Sequence, residues 1–158
     1  TSCFRFSSVT AKTHEIAASL IRSGADHNRI IWDFVIKKSR RKISAEREIL
    51  ERMEFFADGK IAISDVSLKM VKKLGLSDCD FDGLPSRATE IEGVLAGILI
   101  REKKGEFKIS IRSNTGFDSS RLAKAFGGGG HTKAAGCTLK SSFEETKKML
   151  LSAAMEQL

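Results

Sequence analysis

The chain has 158 residues, of which 41% are hydrophobic and 30% charged, a composition typical of one globular domain or of two small ones. Its net charge of +7 and its pI of about 9.5 suit an anionic partner, such as a nucleotide or a nucleic acid, but equally a basic protein that has no such partner. No apolar stretch is long enough for a membrane span, no signal pattern opens the sequence and the three cysteines are far apart, so we expect a cytoplasmic protein without a membrane partner.

Helical spacing of the apolar residues predicts that nearly all of the first 57 residues are helical. A first helix is expected over 10–23, and a second one begins at Asp26. A third helix is expected from Ser44 onward, after the basic run 37–42. The apolar residues at helical spacing are Ile16, Ala17, Leu20 and Ile21 in the first helix and Ile30, Ile31, Phe34 and Val35 in the second. The stripe on or beside which Trp32 and Phe34 lie should be core.

From residue 58 onward, segments with strand patterns alternate with helical ones, which predicts a compact α/β domain over 58–158. We expect a mixed sheet with helices on its faces. The predicted strands cover 60–66, 93–100, 107–112 and 136–139, and the predicted helices cover 68–74, 119–126 and 143–158. The continuous apolar run 93–100 is typical of a strand that is buried on both faces, whereas the strict alternation of 107–112 predicts one wetter face.

The segment 77–90 is predicted to be an acidic, solvated loop. Its residues Asp78–Gly83 resemble the opening of a calcium-binding EF-hand loop. The glutamate that such a loop needs at its twelfth position is replaced by Thr89, and Pro85 interrupts the segment. We therefore expect no metal site in this loop.

The most unusual segment of the sequence is Phe126–Gly136, which contains four consecutive glycines followed by His131. Backbone N–H groups without neighbouring side chains can converge on an anion such as a phosphate. The stretch 131–135 is expected to form the first turn of a helix, whose free N–H groups would add positive potential. His131 and Lys133 would contribute a hydrogen-bond donor and a further charge. The alternative is a tight turn with no ligand.

A second candidate for anion binding is Arg112, at the end of the alternating strand. It could clamp a phosphate with two hydrogen bonds, and Ser113 and Asn114 could contact a ribose or a base. Alternatively, Arg112 is an ordinary solvated arginine. If 93–101 and 107–112 pair as a hairpin, Arg101 lies at the turn end and Arg112 at the far end, so the two would not share a ligand.

The motif Gly127–Gly136 resembles the signature of the domain that accompanies Asp-His-His (DHH) phosphoesterases. The stretches 91–94, 101–102 and 111–113 are similar to segments of the bacterial oligoribonuclease and 3′-phosphoadenosine 5′-phosphate phosphatase branch of that family. The stretches 1–8 and 13–26 resemble the end of the branch's catalytic domain. The resemblance therefore implies a boundary near residue 57, with a helical remnant of the catalytic domain and a linker helix before it.

Members of this family hydrolyse phosphoesters with two metal ions, usually manganese, which an N-terminal domain holds with its aspartates and histidines. The Asp-His-His triplet does not occur in this chain. The resemblance therefore implies the C-terminal half of such an enzyme, with no catalytic and no metal-binding residue, and with manganese bound only in the whole parent protein. It assigns substrate binding to Arg112, Ser113, Gly128, Gly129, Gly130 and His131.

Two functions remain open at this point. The first is the substrate-binding part of a phosphoesterase that acts on short single-stranded oligoribonucleotides or on 3′-phosphoadenosine 5′-phosphate. The second is an RNA-binding module without its own chemistry, similar to the tail domain of alanyl-tRNA synthetases. Residues 1–57 resemble the phosphoesterase and favour the first. Without the missing catalytic domain, their apolar stripes would be exposed, so a homodimer or larger association is expected.

Overall fold

The computed structural model describes Phe4 and residues 8–158. Most of the N-terminal stretch that resembles the end of a catalytic domain, residues 1–8, lies outside the described residues, as does Cys3. The chain forms two compact units, Thr1–Ser39 and Arg40–Leu158. Within the described part, no helix is both long and apolar enough to cross a membrane.

The first unit consists of helices. Helix α1 covers Ala11–Arg22, and helix α2 covers His27–Ile31 and continues as a π-helical turn over Trp32–Ile36. Asp26 caps α2 by accepting a 2.9 Å hydrogen bond from the backbone N–H of Arg29. The ranges of α1 and α2 confirm the two predicted helices. The expectation that the stripe beside Trp32 and Phe34 is core is wrong for this unit, whereas the expectation that the apolar stripes of the two helices are exposed is confirmed. Its exposed apolar side chains are Ile16, Leu20, Ile21, Ile30, Trp32, Phe34, Val35 and Ile36.

The second unit is built on one six-stranded sheet with the order β1-β2-β3-β4-β6-β5. Strands β2 and β3 are parallel, and every other neighbouring pair is antiparallel. This mixed sheet confirms the predicted α/β class. The strands cover Glu54–Phe56 (β1), Ile61–Val66 (β2), Ala96–Lys103 (β3), Glu106–Ser113 (β4), Gly129–His131 (β5) and Ala134–Leu139 (β6).

Four α-helices flank this sheet. They cover Arg40–Glu51 (α3), Leu68–Leu74 (α4), Ser119–Lys124 (α5) and Phe143–Met155 (α6). Gly75 ends α4 in the left-handed conformation, which glycine adopts readily at the end of a helix. Three short 3-10 turns, at Asp78–Phe81, Leu84–Ser86 and Ala88–Glu90, connect α4 to β3.

The two faces of the sheet are covered to different extents. Helices α5 and α6 bury one face, where Ile98 and Ile109 pack with Leu122 and Leu150. The other face is covered by α3, α4 and the 3-10 turns over β2 and β3, but its side chains on β4 and β6 stay at least partly exposed. We call this second face, over β4, β6 and β5, the open face. The side chains on the open face include Lys108, Ser110 and Arg112 of β4, Ala134 and Thr138 of β6 and, by its register with Ala134, His131 of β5.

Several predicted boundaries are corrected by the structure. The N-terminal 57 residues are not all helical, because residues 54–56 form the edge strand β1. Helix α3 begins at Arg40, not at Ser44, so it includes part of the basic run. The buried side chains of Ala45 and Ile49 pack α3 into the core of the second unit, which therefore starts well before residue 58.

The segment 77–90 is not simply a solvated loop. Phe81, Leu84 and Ala88 are buried in it, and so is Asp80. The turn at Ala88 also explains a glycine in the middle of strand β3, because a Cβ at Gly97 would lie 2.5 Å from the Cβ of Ala88. Strand β3 is buried on both faces as predicted, although it starts three residues later and extends further than expected.

Candidate functional site

The glycine motif forms a β-hairpin. Strand β5 pairs with β6, and the turn between them consists of Thr132 and Lys133. The predicted helical turn at 131–135 is wrong, because Ala134 and Ala135 belong to β6, which pairs with β4 on its other side. A helix N-terminus therefore contributes nothing to anion binding here. What remains of the prediction is a backbone free of side chains at Gly129 and Gly130, on the edge strand β5.

The tip of this hairpin is fixed by Ser113 and Ser119. The Ser113 hydroxyl donates to the carbonyl oxygen of Thr132 at 2.9 Å and accepts a hydrogen bond from the Ser119 hydroxyl at 2.9 Å. The backbone N–H of Ser119 donates to the same Thr132 oxygen at 2.8 Å. Ser113 is only 6% exposed and lies on the helix-covered face, so its side chain positions the hairpin and does not reach the open face.

Different physical constraints act on the four glycines of the motif. Gly127 and Gly130 have φ values of +72° and +142°, which side chains disfavour. Gly128 is packed against β6, where a Cβ would come within 2.5 Å of the Cys137 Cβ. Gly129 has neither constraint: its φ is ordinary, and an added Cβ would meet nothing within 4 Å. Inside the fold, nothing requires glycine at 129, which fits a ligand that approaches from outside.

Arg112 lies on the open face beside the hairpin, opposite Ala134 of β6. Its side chain is half-buried, and this burial lowers the pKa of its guanidinium. Its guanidinium donates a 2.9 Å hydrogen bond to the carbonyl oxygen of Ile111, and no carboxylate among the described residues pairs with it. A partly desolvated cation without a carboxylate partner is well suited to bind an anionic ligand.

Two depressions lie side by side on the open face. One, of about 530 Å³, is lined by Gly129 and Gly130 of the hairpin together with β4 and β6. The other, of about 330 Å³, lies between β4 and the turns at 78–85. Because Lys108, Ser110 and Arg112 line both, the depressions form one continuous groove along β4.

Arg101 has a structural role in this groove. Its guanidinium is buried, lies 4.4 Å from the centre of the Phe81 ring and forms a 3.0 Å ion pair with Asp78. Lys103 pairs with the same carboxylate at 3.1 Å, and the two cations lower the pKa of Asp78, Lys103 having the larger effect through its hydrogen bond. Arg101 therefore fastens the turn at 78–81 to strand β3.

The predicted separation of Arg101 and Arg112 is confirmed, because they face Lys108 and Gly97 respectively across the β3–β4 hairpin. They nevertheless line the same depression, although they were expected not to share a ligand.

Of the six residues predicted to bind substrate, the structure brings Arg112, Gly129 and Gly130 together in the groove. Gly128 packs beneath the hairpin, and Ser113 lies on the opposite face. His131 is exposed at the end of β5, near the turn, and does not line either depression.

Sequence analysis missed Lys108 and Ser110, which line the groove next to Arg112. A usable signal was present, because the strict alternation of β4 places both on the same face as Arg112.

The described residues do not fit a metal centre. Among them, no group of three histidine, cysteine or acidic side chains comes together in a way that could hold a metal ion. Two of the three carboxylates of the EF-hand-like segment are engaged elsewhere: Asp78 pairs with cations, and Asp80 accepts hydrogen bonds from Ser77. We therefore derive no step through the manganese that the family resemblance implies for a whole enzyme.

The sequence profile of the DHHA1 domain matches residues 58–158. The chain belongs to the DHHA1 domain family. This is the domain of DHH phosphoesterases that the glycine-histidine motif predicted, so the expected family is confirmed. The match covers the sheet from β2 onward, with the whole groove and the hairpin.

One curated relative of this DHHA1 chain is a protein from Thermus thermophilus named bifunctional oligoribonuclease and PAP phosphatase NrnA. It is 27% identical over 159 residues, which cover 98% of this chain and 46% of the relative. The chain thus spans about half the length of the curated relative that it matches.

Two solved structures are similar in fold. An exopolyphosphatase-related protein from Bacteroides fragilis has a TM-score of 0.90 and 25% identity, over 97% of this chain and 45% of that one. The pGpG-specific phosphodiesterase PggH from Vibrio cholerae has a TM-score of 0.53 and 15% identity, over 98% of this chain and 52% of that one. The second likeness shows the fold alone.

Proposed function

We propose that this chain is the substrate-binding part of a metal-dependent phosphoesterase that hydrolyses short oligoribonucleotides, 3′-phosphoadenosine 5′-phosphate or both. The observation that carries the proposal is Arg112, a half-buried cation without a carboxylate partner, at the bottom of a groove next to a glycine hairpin. The names of the Thermus and Bacteroides proteins support a substrate that contains phosphate.

In this proposal, a terminal phosphate of the substrate lies between Arg112 and the hairpin. The guanidinium donates two parallel hydrogen bonds to it. Gly129 and Gly130 allow the phosphate to approach the backbone, since no side chain stands on that part of the groove. His131 contacts a part of the ligand that extends over the hairpin tip. Ser113 acts indirectly, by holding Thr132 in place.

The hydrolytic step itself is assigned to a metal-binding half that the described residues do not contain. Two metal ions activate a water molecule and stabilise the leaving oxygen in such reactions, and their ligands need a fixed geometry. The described residues offer no such cluster. We therefore expect no turnover by this chain alone in the presence of manganese, and substrate binding without hydrolysis.

The test is a calorimetric titration of 3′-phosphoadenosine 5′-phosphate into the protein and its Arg112→Ala and His131→Ala variants. The expected result is saturable binding that Arg112→Ala weakens by about tenfold or more, because a charge-assisted contact is lost. Arg121→Ala is the matched control, since Arg121 is an exposed arginine on α5, outside the groove.

Failure of the folded protein to bind this ligand would contradict the proposal, as would an equal loss in the Arg121→Ala control. Tight binding of folded RNA that Arg112→Ala leaves unchanged would favour the RNA-binding module instead.

A further inference from the structure

Lys108 is a charged residue of the groove. It has no role in the proposed binding of one phosphate. It is exposed, lies on the open face of β4 and lines both depressions. Its backbone pairs with β3 and β6, but its ammonium group has no hydrogen-bond or ion-pair partner among the described residues. Arg101 and Lys103, on the adjacent strand, are both paired with Asp78. Lys108 and Arg112 are therefore the cations that this part of the groove offers to a ligand.

The spacing along β4 suits a chain of phosphates. Lys108, Ser110 and Arg112 are alternate residues, so their side chains stand on the same face at intervals of about 7 Å. The hydroxyl of Ser110 lies between the two cations and is a further hydrogen-bond donor. A ligand whose first phosphate is held at Arg112 meets this row of donors if it continues along the strand towards Lys108.

The opposite wall of the second depression carries Asp82 and Asp78. Asp78 is paired with Arg101 and Lys103, so Asp82 is the carboxylate of this wall whose charge no cation among the described residues offsets. A phosphate close to Asp82 is repelled, whereas one close to β4 is attracted by Lys108. The charges therefore guide a phosphate backbone along β4, and the depression of about 330 Å³ gives room for the next nucleotide.

We propose that Lys108 forms a second phosphate subsite, which makes the groove bind nucleotides of two or more units more tightly than a single nucleoside monophosphate. This inference rests on the proposed function, because it takes the first phosphate to be bound at Arg112. It makes Lys108 the residue that determines the preference for longer ligands, although Lys108 belongs neither to the glycine motif nor to the phosphate contact of Arg112.

The test compares three ligands: adenosine 5′-monophosphate and the 5′-phosphorylated di- and triadenylates. Each is titrated calorimetrically into the protein with a chelator present, so that no metal-dependent hydrolysis occurs. The expected result is tighter binding of the longer ligands. In Lys108→Ala their affinity falls by about three- to tenfold, the scale of a partly exposed charged contact, whereas the affinity for the monophosphate stays within about twofold. Lys108→Arg retains the length preference.

The matched control is Lys104→Ala, which removes the same charge from the exposed β3–β4 turn, outside both depressions. A length preference that survives in Lys108→Ala would overturn the second subsite, and so would an equal loss in Lys104→Ala. Monophosphate binding that depends on Arg112, with no gain from further nucleotides, would overturn this inference but not the proposed function. If the folded protein binds none of the three ligands, both fail.

Discussion

Gly128 packs directly against Cys137 of the neighbouring strand β6. A Cβ at position 128 would lie 2.5 Å from the Cys137 Cβ and would also meet the carbonyl oxygen of Gly136. At Gly129, the next residue, an added Cβ would meet nothing within 4 Å. The two adjacent glycines therefore differ in what they serve. Gly128 is required by packing inside the fold, whereas Gly129 leaves the open face of the groove accessible.

The packing of Gly128 predicts that Gly128→Ala destabilises the protein. The added methyl group has no space beside Cys137, and such overpacking costs about 1–3 kcal/mol. The free energy of unfolding, measured by urea denaturation, is expected to fall by that amount. An unchanged free energy would contradict the close packing of β5 on β6.

The open surroundings of Gly129 predict the reverse behaviour for Gly129→Ala. Its free energy of unfolding should stay within about 0.5 kcal/mol of the wild-type value, because the methyl group meets no other atom. Its affinity for 3′-phosphoadenosine 5′-phosphate should nevertheless fall by roughly tenfold, or about 1.4 kcal/mol, because the methyl group stands where the phosphate approaches. Calorimetry measures the affinity. Full binding by this stable variant would show that the ligand does not approach Gly129.

A comparison of the predicted and observed structures of the glycine motif shows which part of the site could be predicted from the sequence. The motif indicated a backbone that must stay free of side chains, and Gly129 and Gly130 do line the groove. The predicted helical turn was wrong because the stretch Ala134–Gly136 pairs with two neighbouring strands, β4 and β5. Pairing with β4 is a long-range event that local spacing does not reveal.

The orientation of the Ser113 side chain, by contrast, could have been predicted from the local sequence. Adjacent strand residues point to opposite faces, so a strand that ends in Arg112 and Ser113 cannot present both side chains to one ligand. The same alternation, applied from Arg112 backwards, places Ser110 and Lys108 in the groove. By contrast, the pairing of Arg101 with Asp78, 23 residues away, depends on how the turns at 78–90 fold over β3, which no pattern in the sequence indicates.

The buried hydrogen bonds of Ser113 predict that Ser113→Ala lowers stability. The substitution leaves the hydroxyl of Ser119 without its acceptor and the carbonyl of Thr132 with one donor fewer. Loss of such buried partners costs about 1–3 kcal/mol. Urea denaturation should show this loss, whereas Ser152→Ala, at an exposed position of α6, should change the free energy by less than about 0.5 kcal/mol. Equal stability of the two variants would contradict the role of Ser113 in holding the hairpin.

The thiol of Cys137 predicts a pH dependence. Burial raises its pKa from the usual 9.0 to about 11, so the folded state favours the neutral thiol. The stability that this shift contributes is fully present below pH 9 and is lost as the pH rises through 11. In the folded protein at pH 8, a thiol reagent should therefore modify the exposed Cys79 and leave Cys137 unmodified.

This prediction is checked by mass spectrometry after alkylation of a Cys3→Ser variant, so that Cys79 and Cys137 are the remaining thiols. Denaturation before alkylation is the control and should give two modified cysteines. Rapid modification of Cys137 at pH 8 without denaturation would show that β6 opens easily and would contradict its buried position.

The exposed apolar side chains of the first unit predict self-association. Phe34 is 84% exposed and Leu20 is 57% exposed, and neighbouring side chains of the same unit add to this apolar surface. Large apolar surfaces promote association because their burial removes them from water. Sedimentation at increasing concentration should therefore show dimers or larger species.

The double variant Leu20→Lys, Phe34→Glu should shift the distribution towards the monomer, since it places charges on this surface. Asn28→Glu, a charge change at an exposed polar residue of α2, is the control and should leave the distribution unchanged. A wild-type chain that stays monomeric at high concentration would show that this apolar surface does not drive association.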